Sequence, residues 1–219
     1  MHSNSEIEMD RRFFGYGNWT APYWFIGPEQ GRGPGESEGH EQRVEAWIAS
    51  GRPELCDCRD YHEKILAPQW HRQDARLQPT WKSLILCLLT VMNHQADNVH
   101  LRNYQRSRWG MSDRPETCVI DLSGLASRSL SGLLNNRAFI EGRVEVIRQR
   151  IQEHDPKLIL MYGLTCRKHW SEIARLELEV DEPVKREGHV YAVAPHPVSF
   201  GRKRSDWVEL GQRCRELLI

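Results

Sequence analysis

Two residues suited to acid–base chemistry follow apolar runs near opposite ends of the chain. The run at 23–26 ends in a Gly-Pro turn that presents Glu29, and the run at 190–194 ends in His196, which lies between two prolines. A carboxylate can orient a water molecule or offset a developing positive charge, and a histidine can exchange a proton near neutral pH. If the two runs are strands of one sheet, this pair predicts an active site.

The elements that must position this pair alternate between strands and helices. Apolar runs of strand length lie at about 23–27, 117–121, 157–163 and 189–194. Segments with helical periodicity lie at 41–50, 79–92, 139–154, 165–175 and 205–218. This alternation predicts crossover connections and parallel strands with both faces covered. We therefore expect an α/β protein, a three-layer α/β/α sandwich with a central four-stranded parallel sheet, as a single domain over 13–219 after a flexible N-terminus at 1–12.

Open α/β sheets bind ligands at the carboxyl ends of their strands. In the predicted sheet, that edge collects polar residues that are distant in sequence. They are Glu29, Asp121, Ser123, Thr165 and His196. The site is thus a consequence of topology, and it depends on the four strands being assigned correctly.

Composition sets limits on partners. Lys and Arg together balance Asp and Glu, so a nucleic acid would have to be held by a local basic patch. No apolar run approaches the roughly 18–20 residues of a membrane span, and the first residues do not form an export signal. We expect no membrane partner and a cytoplasmic location.

The cysteine pattern is typical of free thiols in a reducing compartment. Four of the six cysteines lie singly in apolar or helical patterns, where cysteine behaves as a small hydrophobe. Cys56-Asp57-Cys58, with His62 and His71 beyond it, has metal-ligand residue types. The spacing lacks the second close pair of a zinc ribbon or an iron–sulfur site. We expect no metal and no cofactor.

Several common catalytic motifs are missing from the sequence. There is no G-x-S-x-G nucleophile elbow and no G-x-x-x-x-G-K-[ST] phosphate loop. The glycines at 31–35 do not open a helix as a dinucleotide fingerprint requires. These absences weigh against a serine hydrolase, a nucleoside triphosphatase and a dehydrogenase.

The motifs Gly27-Pro28-Glu29-Gln30-Gly31 and His196-Pro197-Val198-Ser199 resemble the first and last motifs of the uracil-DNA glycosylase superfamily. The superfamily also has four parallel strands between helices and a polar residue after the second strand, where this chain has Asp121. Active members usually carry Asp or Asn at the position of Glu29.

The resemblance implies a DNA glycosylase-like hydrolase that cleaves the N-glycosidic bond of an altered base. Glu29 would orient the water and offset the sugar cation, and His196 would donate a hydrogen bond to the departing base. Asp121 or Ser123 would contact the polar edge of the base. The implied substrate-binding residues are Gly27, Pro28, Gln30, Asp121, Ser123 and Ser199.

Recognition of DNA by such an enzyme requires a flipped base and a held backbone. Phe200 is the predicted wedge that fills the gap left by the base. Arg202, Lys203 and Arg204 follow it and are the predicted phosphate contacts of a monomer bound to single- or double-stranded DNA.

Structural interpretations remain open for each of these residues. Glu29 can serve a helix start, His196 can be a hydrogen-bonded residue of a rigid turn, and Phe200 can belong to the core. The basic triplet can be a solvated charge run, and the polar residues after 121 can satisfy backbone groups. Two other functions also remain open: an inactive module that binds nucleic acid or a nucleobase, and a hydrolase of small nucleosides or nucleotides.

Overall fold

The structure is a computed structural model that describes residues 3–29, 40–65, 67–125 and 137–219. Within these ranges the strands are β1 Gly15–Gly17, β2 Tyr23–Gly27, β3 Leu55–Cys56, β4 Thr117–Asp121, β5 Leu158–Tyr162, β6 Val184–Arg186 and β7 His189–Ala194. The helices are α1 Asn4–Arg12, α2 Glu41–Ala49, α3 Cys58–Lys64, α4 Pro79–Val91, α5 Asn98–Ser107, α6 Arg137–His154, α7 Arg167–Ala174 and α8 Arg204–Leu218. Single-turn 3₁₀ helices lie at Pro68–Trp70 and Leu164–Cys166. None of the helices in these ranges combines the length and apolar character needed to cross a membrane.

The strands form one mixed sheet in the order β3-β1-β4-β2-β5-β7-β6. The four predicted strands are its central members, β4-β2-β5-β7, and each pairs in parallel with its neighbour. The prediction of a four-stranded sheet is wrong, because three short strands extend it. Strand β1 pairs antiparallel with β4, and β6 pairs antiparallel with β7, so the sheet is mixed. Strands of two or three residues leave no apolar run for a sequence pattern to detect.

Strand β2 lies in the middle of the sheet and shows why its sequence is continuously apolar. Trp24, Phe25 and Ile26 are fully buried. Trp24 and Ile26 pack into a cluster with side chains of α6 and α7, whereas Phe25 packs into a cluster with α4 and α8 on the opposite face. Burial of each such side chain contributes roughly 1.5–3 kcal/mol. Packing on both faces holds the carboxyl end of β2 in a fixed place.

The N-terminal segment differs from the expected flexible tail. Residues Asn4–Arg12 form α1, which begins with a capping box in which the Glu6 N–H donates to Ser3 Oγ at 3.2 Å. The Ser3 N–H in turn donates to the Glu6 carboxylate at 2.6 Å. Met9 is fully buried against the core and fixes the helix to the domain. The Ser-x-x-Glu signature is in the sequence, and the single buried apolar residue explains why periodicity alone did not predict a helix.

Candidate active site

Three of the central strands end side by side around Gly27. Gly27 pairs with Asp121 in the β2–β4 register, and β2 pairs on its other side with β5, which ends at Tyr162. A Cβ atom at Gly27 would lie 2.5 Å from Asp121 Oδ1 and 2.3 Å from the Tyr162 hydroxyl. The carboxyl group and the hydroxyl therefore face the same point above the glycine, and only a residue without a side chain leaves room for both.

The loop after β7 brings His196 to the same edge. The residue pairing with Tyr162 across the β5–β7 ladder is Ala194, two residues before the histidine. The His196 ring contacts the Tyr162 ring edge to face, with 5.6 Å between centroids. Ser199 N–H closes the turn by donating to the His196 carbonyl at 2.8 Å.

The His196 ring is held as a neutral hydrogen-bond donor. Burial lowers its pKa below the ordinary 6.5, which leaves the imidazole uncharged at neutral pH. The Val198 N–H donates to His196 Nδ1 at 3.4 Å. Because a backbone N–H can only donate, Nδ1 accepts and the ring proton resides on Nε2. The ring thus carries an N–H donor on Nε2 without a positive charge.

Asp121 is a buried acid whose charge is disfavoured. Its pKa is raised to about 7, mainly by burial and also by the negative charge of Glu29, while Arg143 and Arg43 act in the opposite direction. Glu29 is partly buried, and its charge also raises the pKa of Cys166 after β5. Glu29 is therefore close enough to act on the ends of both β4 and β5. The structure brings Glu29, Asp121 and His196 to one edge, as the topology predicted.

A buried arginine supports this edge from behind. Arg143 lies on α6, and its guanidinium donates to the carbonyls of Asp121 at 2.6 Å, Asp10 at 2.8 Å and Phe13 at 3.0 Å. Its positive charge lies 3.8 Å from the centre of the Phe14 ring. Burial lowers the Arg143 pKa to about 10, so the guanidinium stays charged near neutral pH. It joins α1, the residues between α1 and β1, and the end of β4.

Tyr162 and Arg143 were not among the site residues predicted from sequence, although each has a signal in the sequence. Tyr162 is the one residue with a polar tip in the apolar run of β5, and it stands at the carboxyl end. Arg143 interrupts the buried stripe of α6 between Ile140 and Ile147. A charged residue on a buried stripe requires partners, which here are backbone carbonyls.

Two other predicted substrate contacts, Ser123 and Pro28, are buried. The Ser123 hydroxyl donates to Asp10 Oδ1 at 2.7 Å, and the Gly124 N–H donates to the same oxygen at 2.9 Å. Ser123 is buried and fastens α1 to the end of β4, which corrects its expected role as a base contact. Pro28 is buried beside the turn after β5, and Gln30 lies outside the described residues.

The predicted wedge is exposed. Phe200 is fully accessible to solvent, so the interpretation of Phe200 as a core residue is wrong. Val198, in the same turn, and Leu164, just after β5, are also exposed apolar side chains. Thr165 is exposed beside Leu164. Apolar side chains thus project from the loops that flank the tyrosine and the histidine.

The three basic residues predicted to contact DNA, at 202–204, lie in three different environments. Arg202 forms two hydrogen bonds with the Asp181 carboxylate, at 2.5 and 2.7 Å, and packs over the Trp207 ring. Its side chain is only 9% exposed, which corrects the expectation that it contacts DNA phosphates. Arg204 is exposed but donates to the Ala96 carbonyl. Lys203 is exposed at the start of α8.

A separate group of metal-ligand residues lies outside this edge. Cys58, His62 and His71 offer ligand atoms that all lie within 4.8 Å of one another. The sequence pattern contained these residues, but their spacing argued against a metal site. Cys56 does not belong to the group and has a hydrogen bond with the Ser50 side chain.

Neither the models of known protein families nor the curated proteins compared with this chain gave a match. The chemistry of the site therefore rests on its own residues. Those residues are an acid with a raised pKa, a second acid whose charge acts on it, a buried tyrosine and a neutral histidine donor.

Proposed function

We propose that this chain is a divergent DNA glycosylase-like hydrolase that cleaves the N-glycosidic bond of an altered or flipped base. The main support is the convergence of Gly27, Asp121, Tyr162 and His196 at the carboxyl ends of parallel strands. The charge of Glu29 acts on the same carboxyl group. Ligand sites of α/β sheets occur at this edge.

His196 is the proposed donor to the departing base. Rupture of the glycosidic bond leaves its electron pair on the base, where negative charge accumulates on a ring nitrogen and a carbonyl oxygen. The neutral Nε2–H of His196 can donate to that oxygen, and the partial burial of the ring strengthens the interaction because less water competes than in bulk solvent. The Val198 N–H at Nδ1 supports this role by fixing the tautomer.

Glu29 is the proposed partner of the sugar and of the attacking water. The water oxygen adds to the anomeric carbon as the bond to the base breaks. The carboxylate of Glu29 offsets the developing positive charge and accepts the proton that the water releases. The base takes up a proton from solvent or from an acid in the site.

Asp121 is the proposed contact for the polar edge of the base. With a pKa of about 7, its carboxyl group is present in both protonated and ionised forms at neutral pH. The protonated form can donate to a base oxygen and accept from a base N–H at the same time. Two carboxyl groups in different environments can thus take different roles.

DNA is the proposed polymer substrate, bound by a monomer. Exposed Phe200 is the proposed wedge beside the flipped base, and Lys203 and Arg204 are the proposed phosphate contacts. Arg202 instead orders the loop that carries the wedge, through its ion pair with Asp181. The ion pair fixes Arg202 two residues after Phe200.

The proposed architecture is a single three-layer α/β/α domain like that of the uracil-DNA glycosylase superfamily. Apolar clusters on the two faces of the sheet support it, since one includes α4 and α8 and the other includes α6 and α7. Six buried free cysteines support a cytoplasmic location.

An inactive binding module is the alternative that a specific observation favours. Glu29 is one methylene longer than the Asp or Asn that active members of the uracil-DNA glycosylase superfamily usually carry, and a displacement of about 1 Å can reduce the rate roughly a hundredfold. Such a module would bind DNA or a free base without turnover. A small-molecule hydrolase would instead act on nucleosides, and DNA would not compete.

The proposal is tested with single- and double-stranded oligonucleotides that carry uracil, hypoxanthine or other altered bases. We expect abasic sites, detected by strand scission after alkali treatment. Salt-sensitive binding without scission would support the binding module. Release of base from nucleosides, unaffected by excess DNA, would support the small-molecule hydrolase. If DNA is neither bound nor cut, the proposal is wrong.

A further inference from the structure

Cys58, His62 and His71 form a cluster on the segment that follows β3. Cys58 and His62 are four residues apart on α3, so they lie on the same face of the helix one turn apart. The 3₁₀ helix Pro68–Trp70 ends at His71 and returns the chain to α3. Cys58 Sγ lies 3.6 Å from His62 Nδ1 and 3.9 Å from His71 Nε2.

Aromatic side chains pack around this cluster, and His71 at its edge is partly exposed. The Trp81 ring, on α4, contacts the rings of both His62 and His71, at centroid distances of 5.4 and 5.9 Å. Tyr16 contacts His62 from the side of β1, at 5.3 Å. Cys58 is fully buried and His62 is nearly so. The thiol is therefore poorly placed as a nucleophile for an external substrate but well placed to hold an ion.

We propose that Cys58, His62 and His71 bind one Zn²⁺ ion, with the fourth position taken by a water molecule. Zn²⁺ prefers sulfur and imidazole ligands in a tetrahedral arrangement, at about 2.0–2.3 Å from each ligand atom. That geometry separates the ligand atoms by roughly 3.3–3.8 Å. The two distances from Cys58 Sγ are close to this range. Mg²⁺ and Ca²⁺ require oxygen ligands, which these three residues do not provide.

Metal binding changes the protonation of Cys58 and the tautomer of His62. The Cys58 thiol loses its proton to solvent when the sulfur binds the ion. His62 Nδ1 lies 2.6 Å from the Cys58 carbonyl, so in the metal-free protein the Nδ1–H donates to that oxygen. Binding at Nδ1 replaces this hydrogen bond and places the ring proton on Nε2. One net proton is released for each ion bound.

The proposed ion links two parts of the segment after β3. Two ligands come from α3 and the third from the end of the 3₁₀ helix, so the ion closes the loop between them. The unfolded chain does not hold the three ligands together, so an ion that binds only the folded protein stabilises the folded state. The cluster shares no residue with the candidate active site, so the inference does not depend on the proposed function.

The test is a Co²⁺ titration of the metal-free full-length protein, with Co²⁺ as a spectroscopic substitute for Zn²⁺. We expect saturation at one ion per chain, visible ligand-field bands of a tetrahedral site and a near-ultraviolet thiolate-to-cobalt band. Zn²⁺ should displace Co²⁺ and abolish these bands. We also expect Zn²⁺ to raise the Tm of the metal-free protein by about 5 °C at saturation.

Three variants locate the site. Cys58→Ser should lose the thiolate band, and His71→Gln, at a partly exposed position, should weaken Co²⁺ binding by more than about tenfold. Cys56→Ser is the matched control, because Cys56 is also a buried thiol but lies outside the cluster, and it should keep the band. Failure of the wild-type protein to bind Co²⁺ or Zn²⁺ at one ion per chain would overturn the proposal. Unchanged binding by His71→Gln would exclude His71 as a ligand and overturn it as well.

Discussion

The ring of Tyr162 meets the ring of His196 edge to face, with 5.6 Å between their centroids. This contact joins the end of β5 to the loop after β7. The Tyr162 hydroxyl also faces the point above Gly27 that the Asp121 carboxyl group faces. One buried tyrosine thus contacts the histidine through its ring, and its hydroxyl shares the space above the glycine with the acid.

Gly27→Ala tests this arrangement. The new methyl group would lie 2.3 Å from the Tyr162 hydroxyl and 2.5 Å from Asp121 Oδ1, so both side chains must move. We expect a loss of about 1–3 kcal/mol in the free energy of unfolding and a fall of roughly a hundredfold or more in turnover. Gly142→Ala is the control, because a Cβ there meets no atom within 4 Å and the residue lies within α6. The free energy of unfolding of Gly142→Ala, measured by urea unfolding, should rise by about 0.5–1 kcal/mol. Equal effects of the two substitutions would contradict the proposed crowding.

The raised pKa of Asp121 predicts a pH dependence of stability. The group ionises near 3.8 in the unfolded chain and near 7 in the folded protein, so between these values the folded state holds the extra proton. Its contribution to stability therefore falls as the pH rises from about 4 to about 7, by about 1.4 kcal/mol for each pH unit. Asp121→Asn should lack this component. Urea unfolding of both proteins at several pH values gives the difference, and parallel curves would show that Asp121 ionises normally.

The long central strands could be predicted from sequence because they are buried on both faces. Strand β2 reads as a continuous apolar run and is found at its predicted bounds. Strand β1 could not be predicted, since Gly15 and Gly17 flank a single tyrosine and pairing with β4 and β3 alone makes it a strand. Helix α5 was missed because its buried side chains, Leu101, Tyr104 and Gln105, do not form a continuous apolar stripe.

The candidate site was predictable where it depends on strand ends and unpredictable where it depends on side-chain partners. Topology alone places Asp121 and the loop of His196 at the same edge of the sheet. No sequence pattern could show that the Ser123 hydroxyl donates a hydrogen bond to Asp10, more than a hundred residues away, or that Arg202 forms an ion pair with Asp181. Such pairs depend on how helices and loops pack after the sheet has formed.

Substitution of Phe200, in the loop after His196, should impair the wedge function without lowering stability. Phe200 is fully exposed, so Phe200→Ala should change the free energy of unfolding by less than about 0.5 kcal/mol. Turnover on duplex DNA should fall by tenfold or more, because the gap left by a flipped base is no longer filled, whereas turnover on single strands should change little. Val99→Ala, at another exposed apolar residue, is the control for both substrates. An equal loss on single strands and duplexes would show that Phe200 is not a wedge.

Alanine substitutions of Arg202 and Lys203 should have different effects, although the two residues are adjacent in sequence. Arg202→Ala leaves Asp181 unpaired, and we expect a loss of about 2–3 kcal/mol in stability, somewhat less than for a fully buried pair because Asp181 is 30% exposed. Lys203→Ala should leave stability unchanged and reduce the slope of log affinity for DNA against log salt by about one. Urea unfolding and fluorescence anisotropy with labelled oligonucleotides measure the two effects. If Arg202→Ala alters the salt slope instead of stability, the structural assignment of its ion pair is wrong.

The most direct test of the central claim is the amount of free base released from a modified oligonucleotide under single-turnover conditions. The wild-type protein should release the base and leave an abasic site. Glu29→Gln and His196→Ala should each lower the rate by about a hundredfold or more while the fold is retained. Glu177→Gln and His94→Ala, at exposed positions, are the matched controls and should release base at the wild-type rate. Release at equal rates by all five proteins, or by none of them on any altered base, would contradict the account.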